Sequence, residues 1–261
     1  MERVFEKQTF SGRIKTMLKV DFKRMFTTPL FYIMLGISFA LPILILVMTT
    51  MTGGAAEGTE TTEMFTNVWQ AMSALPGASG GMSMDLTSMC NMNMVYFAIG
   101  VFVCLFTASE FRSGYAKNLF TNRAKKNDYV ISKIVTGIIA GMCMILAYFV
   151  GMLIGGGIAG LSFEMVGFNG GNVFACLLAK LFLVPVFVPI FLTFAVVAKQ
   201  KTWLSIILSL GVGMLLFMMI PMMTPLTAGV LNVILCFAGG AMFCFGLGAV
   251  SNIVLNKTNI V

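Results

Sequence analysis

The chain has 261 residues, of which 58% are hydrophobic and 10% charged, with a formal net charge of +7 and a mean hydropathy of +0.94. A water-soluble domain of this length carrying 24 Phe and 23 Met would leave far too much apolar surface exposed, so the bilayer is the expected solvent. The absence of histidine excludes His-ligated haem, HExxH zinc proteases, Ser-His hydrolases and His-based proton relays.

From the N-terminus, Gly12–Phe26 places Ile14, Met17, Leu18, Phe22, Met25 and Phe26 at helical spacing, with Arg13, Lys15, Lys19, Lys23 and Arg24 filling the other side. That pattern predicts a basic amphipathic helix lying in the membrane interface. Thr28 and Pro29 then suit the N-cap and first position of an apolar span. The expected fold is all-α, with six spans at about Leu30–Met51, Met92–Ser109, Ile134–Ile154, Val173–Ala198, Thr202–Ile220 and Gly229–Ile253. The first apolar run is too long for a signal-peptide core, so no cleavable leader is expected. The whole chain, 1–261, reads as one transmembrane domain.

Charge orients the spans. Residues 1–28 carry seven Lys/Arg, 110–133 carry six, 199–201 carry two, and Lys257 lies in the tail. All fall on one side of a six-span layout, which predicts that both termini and residues 110–133 are cytoplasmic. The other side (52–90, 155–172 and 221–228) has no Lys or Arg but holds Glu57, Glu60, Glu63, Asp85 and Glu164. Met72, Met82, Met84, Met89, Met92 and Met94 crowd this region; thioethers can bind Cu(I), but adaptable packing or an outer gate is the preferred reading. The six cysteines (Cys90, Cys104, Cys143, Cys176, Cys236 and Cys244) form no CxxC pair and read as small apolar packers, so no metal site is expected.

The segment 110–133 concentrates charge but also has internal order. Phe111, Tyr115 and Leu119 are spaced i, i+4, i+8, which predicts a short helix with an aromatic ridge for a cytoplasmic groove. Arg112 and Lys117 lie off the ridge, and Glu110 sits at its expected start, where the helix dipole favours a carboxylate. Thr121–Asn122 and Asn127–Asp128 punctuate its end, and Asp128 is a candidate cap for the third span. The alternative is a charged loop that only sets topology. Further on, Lys180 is the one intramembrane charge; it either snorkels to the outer headgroups or faces a pathway in a helix interrupted by Pro185 and Pro189. Gly137/Gly141, Gly151/Gly155 and the Gly240, Cys244, Gly248 face predict close helix packing.

The stretches "LKVDFKRMFTTPLFYIML" (18–35) and "ASEFRSGYAKNLFTNRAKKNDYVISKIVTG" (108–137), in this layout, resemble the permeases of type-2 ABC exporters. The resemblance implies six spans, an amphipathic elbow helix before the first, and a coupling helix between the second and third. It also implies that Glu110, Phe111, Arg112, Gly114, Tyr115, Lys117, Asn118, Leu119 and Phe120 meet a separate ATPase subunit. Two such ATPases, holding ATP and Mg, would drive two permease halves, identical or paralogous. The Arg- and Trp-rich elbow of the glycan-exporting branch is missing. No GxxxxGK[ST] occurs and no span carries a central acid, so neither an enzyme nor an ion-coupled carrier is expected. The expected cargo is an amphipathic peptide or hydrophobic compound moved across the cell membrane, with no role for nucleic acid. The competing reading is a non-transporting membrane anchor or regulator of a cytoplasmic ATPase or sensor.

Overall fold

The computed structural model describes residues 10–53, 65–73, 91–121, 125–198, 201–217 and 219–257. Glu57, Glu60, Glu63, Met82, Met84, Asp85, Met89, Cys90 and Asn122 lie outside the described residues. Every named element is helical, and a single isolated bridge pairs Asn67 with Ser162.

The first helix, α1 (Phe10–Thr27), forms where the basic amphipathic segment is expected. Its stripe of Met17, Phe22 and Met25 packs on the core, while Lys15, Lys19 and Lys23 stay exposed. Pro29 opens α2 (Pro29–Gly53), as its preset φ favours. Thr28, however, does not cap α2 with its side chain; its hydroxyl donates to the Arg24 carbonyl at 2.7 Å and closes α1 instead.

Four further helices follow at span length or near it: α3 (Val95–Arg112), α5 (Lys126–Ala159), α6 (Gly170–Ala198) and α9 (Val230–Lys257). With α2, and with α3 extended by the 3-10 turn Met92–Met94, they make five helices among the described residues that are long and apolar enough to cross a membrane. The fifth expected span, Thr202–Ile220, is described in two pieces. Over 202–220 the chain forms α7 (Thr202–Phe217), and the four-residue α8 (Ile220–Met223) follows. Sixteen residues rise about 24 Å against a hydrocarbon core of about 30 Å, and residue 218, between the two pieces, lies outside the described residues. Between α3 and α5 hangs α4 (Tyr115–Thr121).

Small residues set the helix spacing. A Cβ on Gly155 would lie 2.8 Å from the Ile43 Cα, and one on Gly151 would collide with the Phe39 carbonyl oxygen, so α5 and α2 touch along their backbones. Gly137 and Gly141 instead make room for the side chains of Val188 and Val184 of α6. Pro185 sits at the α6–α9 seam, facing Gly240, and Pro189 is buried one turn further along α6. The Pro185 carbonyl, which loses its helical donor because Pro189 has no N–H, accepts the Cys244 thiol at 3.2 Å. Aromatic stacking fills the centre, with Tyr96 on Phe187 at 4.6 Å between ring centroids.

At the end remote from the basic segments, residues 65–73 fold inward rather than forming an open loop. Phe65, Val68, Trp69, Ala71 and Met72 are buried there. The Asn67 side chain caps the 3-10 turn Val68–Ala71 and also donates to the Glu164 carbonyl at 2.8 Å. Trp69 Nε1 donates to the Phe163 carbonyl at 3.1 Å, and Ser73 to that of Thr224 at 3.0 Å.

Candidate functional site

The basic end is organised around a buried carboxylate. Glu110 lies in the last turn of α3 and is fully buried, not at the start of the short helix as its spacing predicts. The chain breaks after it, at Ser113–Gly114, because Gly114 takes φ +72°, a conformation that L side chains rarely adopt. The continuous ridge of Phe111, Tyr115 and Leu119 is therefore split between two helices. Phe111 is buried edge-on to Tyr129, at 6.5 Å between centroids, and Leu119 and Phe120 are half-buried against the core. The ridge turns toward the protein's own body. Arg112, Ser113, Lys117, Asn118 and Thr121 are the side chains left facing outward.

Around Glu110 converge three helices. One of its oxygens accepts hydrogen bonds from Arg24 of α1 and Lys133 of α5, and the other accepts the Tyr129 hydroxyl at 2.8 Å. Lys133 also donates to Asp21 at 2.6 Å, and Asp21 accepts the Ser132 hydroxyl at 2.5 Å. Two carboxylates and two cations thus neutralise one another in a site nearly closed to water, as burial of charge requires. The Arg24 guanidinium lies 4.4 Å from the Tyr115 ring, which joins α4 to the cluster. Burial, with Asp21 and Glu110 nearby, raises the Tyr115 hydroxyl above its ordinary value although Arg24 pulls it down, so the ring under the guanidinium is neutral at physiological pH.

Two further ties flank the cluster. Arg13 donates to Asp128 at 2.9 Å, which occupies that carboxylate within the first turn of α5; the N-cap there is Lys125, with no side-chain cap bond. Lys126 donates to the Leu255 carbonyl at 2.6 Å, where the end of α9 welcomes a cation. Sequence reasoning placed Glu110, Phe111 and Tyr115 in this region but missed Asp21, Tyr129 and Ser132, and treated Lys133 only as a topology charge. A signal for Asp21 existed: Met17, Asp21 and Met25 share one stripe, so an acid inside an apolar face demands a buried partner.

Lys180 lies inside the bundle. It is fully buried and does not snorkel. Its ammonium donates to Asn93 Oδ1 at 2.6 Å and to the Thr224 hydroxyl at 3.0 Å, enclosed between α6, the turn at 92–94 and the residue after α8. The Tyr96 hydroxyl donates to the Lys180 carbonyl at 2.7 Å, which completes a polar node deep in the bundle. No group of three or more His, Cys, Asp or Glu that could hold a metal occurs among the described residues. The arrangement ties α1, α3 and α5 together through buried charge.

Neither a curated protein nor a solved structure matches the chain. A family model does, described as ABC-2 family transporter protein and matching residues 17–216. The match runs from α1 through nearly all of α7, and so takes in the Glu110 cluster, α4 and the Lys180 side chain. On that extent of similarity, the chain belongs to the ABC-2 family of transporter proteins.

Proposed function

We propose that the chain is the membrane subunit of an ATP-binding cassette exporter that moves an amphipathic peptide or hydrophobic compound out of the cell. A separate ATPase subunit, present in two copies and holding ATP and Mg, docks on the outward side of α4, and a second permease half completes the pathway. The chain itself has no hydrolytic role and no nucleic-acid partner. Its basic end and both termini face the cytoplasm, in the cell membrane. The observation that carries this reading is the suspension of α4. A short helix with Lys117, Asn118 and Thr121 exposed hangs between two long helices, and Tyr115 links it to a buried charge cluster that reaches α1, α3 and α5. A push on such a helix is carried into the bundle rather than lost in a loop.

The test changes the outward face and leaves the core alone. Lys117→Glu with Asn118→Asp is expected to lower association with the ATPase at least tenfold by pull-down and to uncouple hydrolysis from transport in liposomes, with thermal stability unchanged. Association and coupled transport at the unsubstituted level would remove α4 as the docking element.

A further inference from the structure

A cleft separate from α4 opens at the same basic end, between the end of α3 and the start of α7. It has a volume of about 580 Å³ and is lined, among the described residues, by Arg112, Lys201, Thr202 and Trp203, none of them acidic. Neither Arg112 nor Lys201 forms an ion pair among the described residues. Trp203 is 63% exposed. Below the cleft, α7 buries Ser205, Ser209, Gly213 and Phe217 but leaves Trp203, Ile207, Met214 and Leu215 uncovered. An apolar stripe therefore descends the helix from the mouth of the basic cleft.

We propose that this cleft binds the phosphodiester headgroup of an anionic phospholipid, with the acyl chains lying along the exposed stripe of α7. The chemistry assigns each part. The Arg112 guanidinium presents paired donors that match two phosphate oxygens, and the Lys201 ammonium adds a compact point charge. The amides that open α7 add the positive end of a 16-residue helix. An indole at this level sits where a bilayer changes from headgroup to hydrocarbon. A free phosphate would use the cations but not the stripe, and an acidic protein segment would leave Ile207 and Leu215 unexplained. The site needs only that the chain lies in a bilayer, so it stands or falls independently of the exporter reading.

The experiment uses the purified full chain in vesicles of phosphatidylcholine and phosphatidylglycerol. The chain has two tryptophans, so Trp69→Phe leaves Trp203 as sole reporter, to be quenched by brominated forms of either lipid. Phosphatidylglycerol should be preferred over phosphatidylcholine by on the order of tenfold, for two basic side chains at the surface. Arg112→Gln with Lys201→Gln should bring the ratio to about one. Lys15→Gln with Lys19→Gln removes the same charge from an exposed face of α1 and should leave the ratio unchanged. Should Trp69→Phe disturb folding, native mass spectrometry of the chain with both tryptophans counts retained phosphatidylglycerol in the same two pairs. An equal ratio in both pairs overturns the site. Displacement of the lipid by millimolar inorganic phosphate or an acidic peptide overturns the lipid as its occupant.

Discussion

Glu110, Lys133, Asp21 and Arg24 balance to zero charge only as a set, so no member can be removed alone without leaving a buried charge uncompensated. Glu110→Gln keeps the size and one acceptor but leaves Lys133 and Arg24 facing an amide; a loss of about 3 kcal/mol is expected, the scale for breaking a buried pair. Lys133→Met should cost a similar amount by stranding Asp21. Combining the two removes one charge of each sign and leaves Asp21 and Arg24, so the double variant should be less destabilised than the sum by about 1–3 kcal/mol. Thermal unfolding in detergent reads all three, and strictly additive losses would mean that the charges do not communicate. These residues were only partly legible in the sequence. Hydropathy flags Asp21 as misplaced on an apolar stripe, but nothing one-dimensional says that its partner lies 112 residues away. Lys180 shows the same gap: its position in the chain marks a charge in a span, whereas burial on Asn93 and Thr224 is a property of packing.

The helices themselves were legible because apolar runs and Pro29 are local signals; Gly160 is a further one that the reading passed over, ending the third span at Ile154. Gly160 ends α5 at φ +68°, and the Leu161 amide returns to the Gly156 carbonyl at 3.1 Å. The break at Gly114 was not read, although the residue was named, because the i, i+4, i+8 spacing of Phe111, Tyr115 and Leu119 continues through it. Glycine spacing was informative in α5, and its two outcomes can be separated on one helix. Gly151→Ala drives a methyl into the α2 backbone, which cannot rotate away as a side chain would; a loss of about 2 kcal/mol or more is expected. Gly157→Ala, six residues on, meets nothing within 4 Å and should cost no stability, since alanine is the better helix former. Melting temperatures of the two variants check the contrast, and equal values would place the α2–α5 contact elsewhere.

At the scale of the whole molecule the two ends are built differently. The basic end is held by charge, whereas the opposite end is closed by residues 65–73, which bind the 162–164 stretch and the Thr224 carbonyl at once. This cap was not read in the sequence although Phe65, Val68, Trp69 and Met72 stand at i, i+3, i+4 and i+7, because the run is short and lies in a Gly- and Thr-rich stretch that reads as a loop. On the proposed exporter reading, with cargo discharged past this cap, fixing the cap to the bundle should stop cargo while the ATPase still docks at the other end. Asn67 and Ser162 pair across the isolated bridge, and Val68 donates to the Ser162 carbonyl at 3.1 Å, which brings the two chains close enough to cross-link. Asn67→Cys with Ser162→Cys, oxidised in liposomes, is expected to reduce transport at least tenfold and to regain it on reduction, while each single variant transports in both conditions. ATPase binding should be unaffected throughout, because the lock lies at the far end from α4. Full transport by the completely oxidised pair would mean that cargo leaves by a route the cap does not guard.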